Sequence, residues 1–114
     1  MAKGLSVDRL AIATVAGSQA DELVRALVRE GFHVTEIDST SGFFQEATVS
    51  LLIGLEHSRL PRLLQIVRTL CRPYVRYIPV HLEIAMAEVQ PLMMETQAGG
   101  ATVFVLNVER FEQV

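Results

Sequence analysis

The sequence predicts an α+β fold with the element order βαββαβ. Three observations carry that prediction: two stretches repeat apolar residues at helical spacing, short strand-like runs flank each of them, and the last run opens on a glycine pair. Two interlocked βαβ crossovers in this order make the ferredoxin-like arrangement, with both helices on one face of the sheet.

The first run, Arg9 to Ala16 (RLAIATVA), has the length of a strand. Ser18 then reads as a helix cap, with the carboxylate of Asp21 three residues on. Ala20, Leu23, Val24, Leu27 and Val28 recur as one apolar stripe, and Gly31 stands where a left-handed glycine ends a helix. Phe32 to Ser39 reads as a second strand whose alternation is broken by Glu36. Thr48 to Leu55 alternates cleanly, with Val49, Leu51, Ile53 and Leu55 on one face. Strands two and three therefore form a hairpin with its tip at roughly Thr40 to Ala47, long for such a connection.

Ser58 opens the second helix, in which Leu60, Leu63, Leu64, Val67, Leu70 and Cys71 share a face and Arg59, Arg62, Arg68 and Arg72 face water. Pro61 is tolerated in the first turn, where its missing N–H has no partner, and Pro73 stops the helix. Residues Pro73 to Ala98 read as one long connection. Within it, Val80, Leu82, Ile84 and Met86 alternate like an extra strand or the arm of a hairpin. The closing strand begins at Gly99-Gly100, where glycine releases the backbone into a sharp turn. Val103 and Val105 lie on one of its faces, Phe104 and Leu106 on the other. A strand apolar on both faces needs a second layer on one side and a further cover on the other.

At 114 residues the chain is one domain, spanning 1–114, with room for a core that needs no staples. Half of the residues are apolar and the mean hydropathy is +0.33, yet no run reaches the roughly 18 apolar residues of a bilayer span. The start of the chain lacks an apolar signal-peptide core, so the expected location is cytoplasmic and the surplus apolar surface is expected to be buried between copies. A net charge of −3 with interspersed signs argues against a grip on a nucleic-acid polymer. The single cysteine, Cys71, excludes an intrachain disulfide and a cysteine metal cluster, and reads as a buried structural thiol. His33, His57 and His81 show no ligand spacing, so no metal site is expected. Neither a nucleophile–base arrangement nor a phosphate-binding glycine loop is present, and the chain reads as a non-enzyme.

The ending Gly99-Gly100-Ala101-Thr102-Val103-Phe104-Val105-Leu106-Asn107-Val108, closing with Phe111 and Gln113, resembles the C-terminus of the cyclic di-AMP receptor family of PII-like signalling proteins. The segment Thr35 to Gly54 is similar to that family's loop, which typically reads T-x-G-G-F-L-x-x-G-N before an apolar strand ending in glycine. Here the loop runs Thr40-Ser41-Gly42-Phe43-Phe44-Gln45-Glu46-Ala47-Thr48. The resemblance implies a PII-like homotrimer of ferredoxin-like subunits, a dinucleotide held at each interface, loops that move on binding, and a target protein that reads them. It assigns ligand contacts to Thr35, Phe43, Phe44, Gly54, Phe104 and Gln113. Gly42 and Thr48 enter as part of the loop, and no resident cofactor is implied beyond the ligand.

Aromatic faces at Phe43, Phe44 or Phe104 suit adenine, since base–aromatic stacking is worth about 1–3 kcal/mol per base. Where the family carries Asn and Arg around the start of the second strand, this chain has Gly31 and His33, and its loop carries Gln45 and Glu46. His33, when protonated, would supply the missing cation; otherwise it is a surface strand histidine. Phe43 and Phe44 read equally as a tip packed on the next subunit, and Phe104, taken alone, reads as core. Two functions stay open: a trimeric nucleotide receptor, and a ferredoxin-like oligomeric effector or interaction module that has lost cyclic di-AMP binding.

Overall fold

The computed structural model describes residues 6–40, 47–80 and 92–114. Its strands are β1 (Arg9–Ala16), β2 (His33–Thr40), β3 (Thr48–Leu55), β4 (Pro73–Val80), β5 (Leu92–Gly99) and β6 (Ala101–Asn107), and its helices α1 (Gly17–Arg29) and α2 (Leu60–Leu70). Four strands form one antiparallel sheet in the order β2–β3–β1–β6, the ferredoxin-like order expected from the sequence. A separate two-stranded ribbon, β4–β5, stands between α2 and the closing strand.

The core lies between the sheet and the two helices. Small residues on β1 (Ala11, Ala13, Val15) let the helices approach, and Val49, Leu51, Ile53 and Leu55 of β3 are buried on that same face. Leu23 and Leu27 of α1 and Leu63 of α2 are sealed against them. Each such aliphatic side chain contributes about 1.5–3 kcal/mol through burial. The α1 stripe is narrower than the periodicity predicts, because Val28 is exposed while Ala20, Leu23 and Leu27 are buried. On α2 the sequence reading omitted Ile66, which is buried beside Leu63 and Val67.

Both helix starts differ from expectation. Helix α1 begins at Gly17 after Ala16, with no side-chain cap, so Ser18 is not the capping residue. Its hydroxyl lies 2.8 Å from that of Tyr74 on β4 instead. Helix α2 begins at Leu60, after a single 3-10 turn over His57–Arg59 that contains Ser58. The end of α1 follows the prediction: Gly31 has φ +87°, its N–H donates to the Val28 carbonyl at 2.9 Å, and the Phe32 N–H donates to that of Leu27 at 2.9 Å. These two bonds make a Schellman end, whose apolar contact is supplied by the buried Leu27 and Phe32.

Arg59 is no solvated helix-face residue. It is half-buried, its guanidinium lies 3.9 Å from the centre of the Phe32 ring, and it donates to the Glu30 carbonyl at 2.6 Å. That places a cation on the negative end of the α1 dipole and ties α2 to α1. The imperfect alternation of β2 also has a local cause, a bulge between Glu36 and Asp38 that shifts the register against β3.

The stretch read as a long connection, Pro73 to Ala98, is at both of its described ends a strand. Residues Pro73 to Val80 pair with Leu92 to Gly99 in continuous register, from Pro73 opposite Gly99 to Val80 opposite Leu92. The alternation noted at Leu82, Ile84 and Met86 lies outside the described residues, so the ribbon's arms fall on either side of it. Gly99 and Gly100 turn the chain from β5 into β6 with φ of +75° and +77°, as the glycine pair predicted.

Candidate functional site

One face of the four-stranded sheet carries the helices, and the other has no layer over it among the described residues. Its side chains follow from the pleat, since residues two apart share a face. The register aligns Thr35 of β2, Leu52 of β3, Ile12 of β1 and Phe104 of β6 in one row across the sheet. The next row holds His33, Gly54, Leu10 and Leu106. In the other direction Asp38 of β2 precedes a hydroxyl row of Ser50, Thr14 and Thr102, where the Thr14 and Ser50 hydroxyls lie 3.4 Å apart, and Thr48 follows at the start of β3.

Five of the residues singled out from the sequence therefore share this face: Thr35, His33, Gly54, Thr48 and Phe104. Phe104 is not core. It is 59% exposed, and Leu106 beside it is 46% exposed. Gly54 has a neighbour of its own chain: a Cβ there would stand 3.3 Å from a methyl of Val7, so the absent side chain makes room for the N-terminal segment. Thr48 is half-buried and adjoins Ala47, whose carbonyl accepts from the Gly17 N–H at 2.7 Å. Gln113 is exposed in the segment after β6, with no hydrogen bond to the others. Gly42, Phe43 and Phe44 lie outside the described residues.

The chemistry of this face is apolar and hydroxylic. Leu10, Ile12, Leu52, Phe104 and Leu106 supply the hydrophobic area. Among the described residues no lysine or arginine lies in these rows, and their titratable residues are His33 and, opposite Ser50, Asp38. Such a face suits an aromatic base, a sugar or a protein surface, and any charge on a phosphate must be met from elsewhere. Sequence reasoning put Leu106 on the face of Phe104 but missed Leu10 and Ile12 as its neighbours. The signal was present in β1, where large Leu10 and Ile12 alternate with small Ala11 and Ala13. Among the described residues no group of three or more His, Cys, Asp or Glu side chains gathers as a metal site.

At the far end of the sheet the root of the β4–β5 ribbon meets the strand ends. Two hydrogen bonds fasten it to the first turn of α1: Ser18 with Tyr74, and the Gln19 side-chain amide donating to the Arg72 carbonyl at 2.9 Å. The same turn holds Ala47 through Gly17, so the start of α1 touches both the root of the β2–β3 connection and the root of the ribbon.

A four-stranded ferredoxin-like sheet with one face open and a ribbon before the closing strand defines a PII-like architecture. The sequence places it more narrowly. A profile of the cyclic-di-AMP receptor family matches residues 8–114, and the chain belongs to that family. A solved structure of a functionally unknown protein from Pediococcus pentosaceus ATCC 25745 is similar, with 28% identity and a TM-score of 0.70, over 95% of this chain and 98% of that one. The fold is also similar to that of CPII from Thiomonas intermedia K12, solved with ADP, AMP and acetate, at 14% identity and a TM-score of 0.53, over 95% of this chain and 94% of that one. Among the described residues no helix is long and apolar enough to cross a membrane.

Proposed function

We propose that this chain is a non-enzymatic signalling receptor that binds a small nucleotide, cyclic di-AMP foremost, on its open sheet face between the subunits of a homotrimer. Family membership supports the nucleotide. The observation that carries the reading is that Thr35, Phe104, His33 and Gly54, four of the expected contact positions, share with Leu52 and Ile12 the one sheet face the helices leave uncovered. Phe104 offers its ring to an adenine, Thr35 on the opposite edge strand offers a hydroxyl to another part of the ligand, and a neighbouring copy covers the apolar remainder. Ligand binding reorders the connection between β2 and β3 and the ribbon, and a target protein in the cytoplasm reads the result. That switch requires different affinities for the two arrangements. Titration calorimetry of the full chain with cyclic di-AMP tests it: saturable heat lost in Phe104→Ala is expected, and no heat at high micromolar ligand sinks it.

A second reading rests on the lack of lysine and arginine in these rows among the described residues. On that reading the assembly keeps the architecture but takes another effector, or acts as an interaction module. Thermal shift across a nucleotide panel separates the two, because a ligand that binds only the native state raises its stability. Stabilisation by cyclic di-AMP alone supports the first reading. Stabilisation by a different nucleotide, or by none, supports the second.

A further inference from the structure

The root of the β4–β5 ribbon and the end of the sheet enclose a cleft of about 580 Å³. That is the size of a small-ligand site, for which roughly 300–1,000 Å³ is usual. The sheet supplies Thr14, Thr48 and Thr102 to its wall, and the ribbon supplies Arg76, Thr96 and Gln97. It begins one row beyond Phe104, at the hydroxyl end of the open face.

Among the described residues Arg76 is the only charged side chain in this lining, and no carboxylate stands there beside it. It is half-buried, and among the described residues its guanidinium meets no hydrogen-bond or ion-pair partner. By contrast, half-buried Arg59 caps α1 and exposed Arg62 holds Glu30. A guanidinium that lines a cleft with no protein partner for its five donors is suited to an anion. Four threonine hydroxyls stand in the same lining, and hydroxyls can donate to an anion as well as accept. The paired glycines at its floor carry no side chain to obstruct a ligand, while Val15, Pro73 and Ala101 give it an apolar part.

We infer that this cleft binds the phosphate group of a small phosphorylated molecule, with Arg76 as its cation and the threonines as its hydroxyl donors. A tetrahedral phosphate with several acceptor oxygens matches one planar fork and hydroxyls arriving from two walls. Because one wall belongs to the sheet and the other to the ribbon, an occupied cleft ties the ribbon to the domain. Thr48 borders both sites, but Thr35, His33, Gly54 and Phe104 line only the open face, so this site adjoins the nucleotide contacts proposed above without coinciding with them.

Titration of the isotope-labelled full chain with inorganic phosphate, followed by amide and arginine side-chain resonances against sodium chloride of equal ionic strength, tests the assignment. Saturable shifts at Arg76, Thr96, Gly99, Gly100 and Thr102 are expected. Arg76→Gln should weaken binding by at least about tenfold, the scale of one charge-assisted contact. Arg76→Lys should restore part of it, and Arg29→Gln, on an exposed turn of α1, should change nothing. Phe104→Ala should leave the phosphate shifts intact while affecting cyclic di-AMP. Shifts that never saturate, that chloride reproduces, or that persist in Arg76→Gln overturn the proposal. If Arg76→Gln does not fold, Thr102→Val carries the same comparison.

Discussion

Phe104 on β6 lies directly opposite Ile12 on β1, on the sheet face turned away from the helices, and more than half of its surface is exposed. A large aromatic residue in that position gains nothing from the core of its own chain. Its removal should therefore cost an isolated subunit little, while Leu51→Ala on the opposite face of the same sheet should cost about 2–5 kcal/mol. If the open face is an interface, the penalty of Phe104→Ala grows with protein concentration, because assembly stabilises the native state by mass action. Urea denaturation at several concentrations, with sedimentation in parallel, reads this directly. A concentration-independent loss equal to that of Leu51→Ala would show that Phe104 is core after all.

Gly99 and Gly100 are both left-handed, yet they should tolerate substitution differently. A Cβ on Gly99 would stand 2.6 Å from the Arg72 carbonyl oxygen and 2.7 Å from the Tyr74 ring, whereas one on Gly100 would meet Pro73 no closer than 3.4 Å. Gly100→Ala should cost about 1–2 kcal/mol, the conformational penalty alone. Gly99→Ala should cost more, because the ribbon root must also shift and strain the Ser18–Tyr74 contact. Thermal melts rank the two, and equal losses would mean that the ribbon yields freely at its base.

The closing strand was legible because its chemistry is local: a glycine pair and an apolar run dictate a turn and a strand whatever surrounds them, though not that the strand would stay largely exposed in the subunit. The same holds for β3 and for the Gly31 helix end. What escaped was set by tertiary contacts. Ser18 has the right residue type and spacing for a cap, but Ala16 already continues into β1 and the hydroxyl turns to Tyr74. Arg59 resembles a solvated arginine until the fold brings Phe32 and the α1 carbonyls beneath it. The ribbon was obscured because Tyr74, Val75, Arg76 and Tyr77 show no apolar alternation; a strand without a buried face writes no period-two pattern. For that reason Arg76, the cation of the proposed phosphate cleft, drew no notice. Thr35, His33, Gly54 and Phe104 were reached as ligand positions through family resemblance; the pattern of the strands already suggested that Thr35 and Phe104 share the face away from the helices, and the register adds the rows in which they lie.

Arg62 donates to the carboxylate of Glu30, and this hydrogen bond holds the Glu30 carboxyl below its ordinary value, with the nearby charges of Arg62 and Arg59 acting in the same direction. A carboxylate with a lowered native pKa contributes stability that is present above its unfolded pKa and is lost as pH falls through the native one. Glu30→Gln should therefore melt slightly below the parent protein at neutral pH, and the gap should close in acid as the parent's own carboxylate is protonated. Because the pair is exposed, molar salt should also narrow the gap. Melting temperature against pH for both proteins checks this; a gap that widens in acid would contradict it.

Cys71 ends α2 with its thiol almost wholly buried, and burial pushes its pKa up, with the negative charge of Glu22 adding to the effect. Thiol reagents attack the thiolate, so both the small ionised fraction and the lack of access protect this residue. At neutral pH a disulfide reagent should label native protein far more slowly than urea-unfolded protein. The native rate should rise with denaturant well before the global transition only if α2 opens locally, since exchange-type reactions report the population of open states. Stability ties to the same group with the opposite sign to Glu30: a thiol whose native pKa is raised favours the folded state while it stays protonated, and loses nothing until pH climbs past the ordinary thiol value, where the unfolded chain ionises first and the native state is progressively disfavoured. Cys71→Ala should remove that alkaline loss while leaving a small cavity beside Val67. Native labelling within a few-fold of the unfolded rate, or an alkaline limb unchanged in Cys71→Ala, would show that the thiol is more accessible than its packing allows.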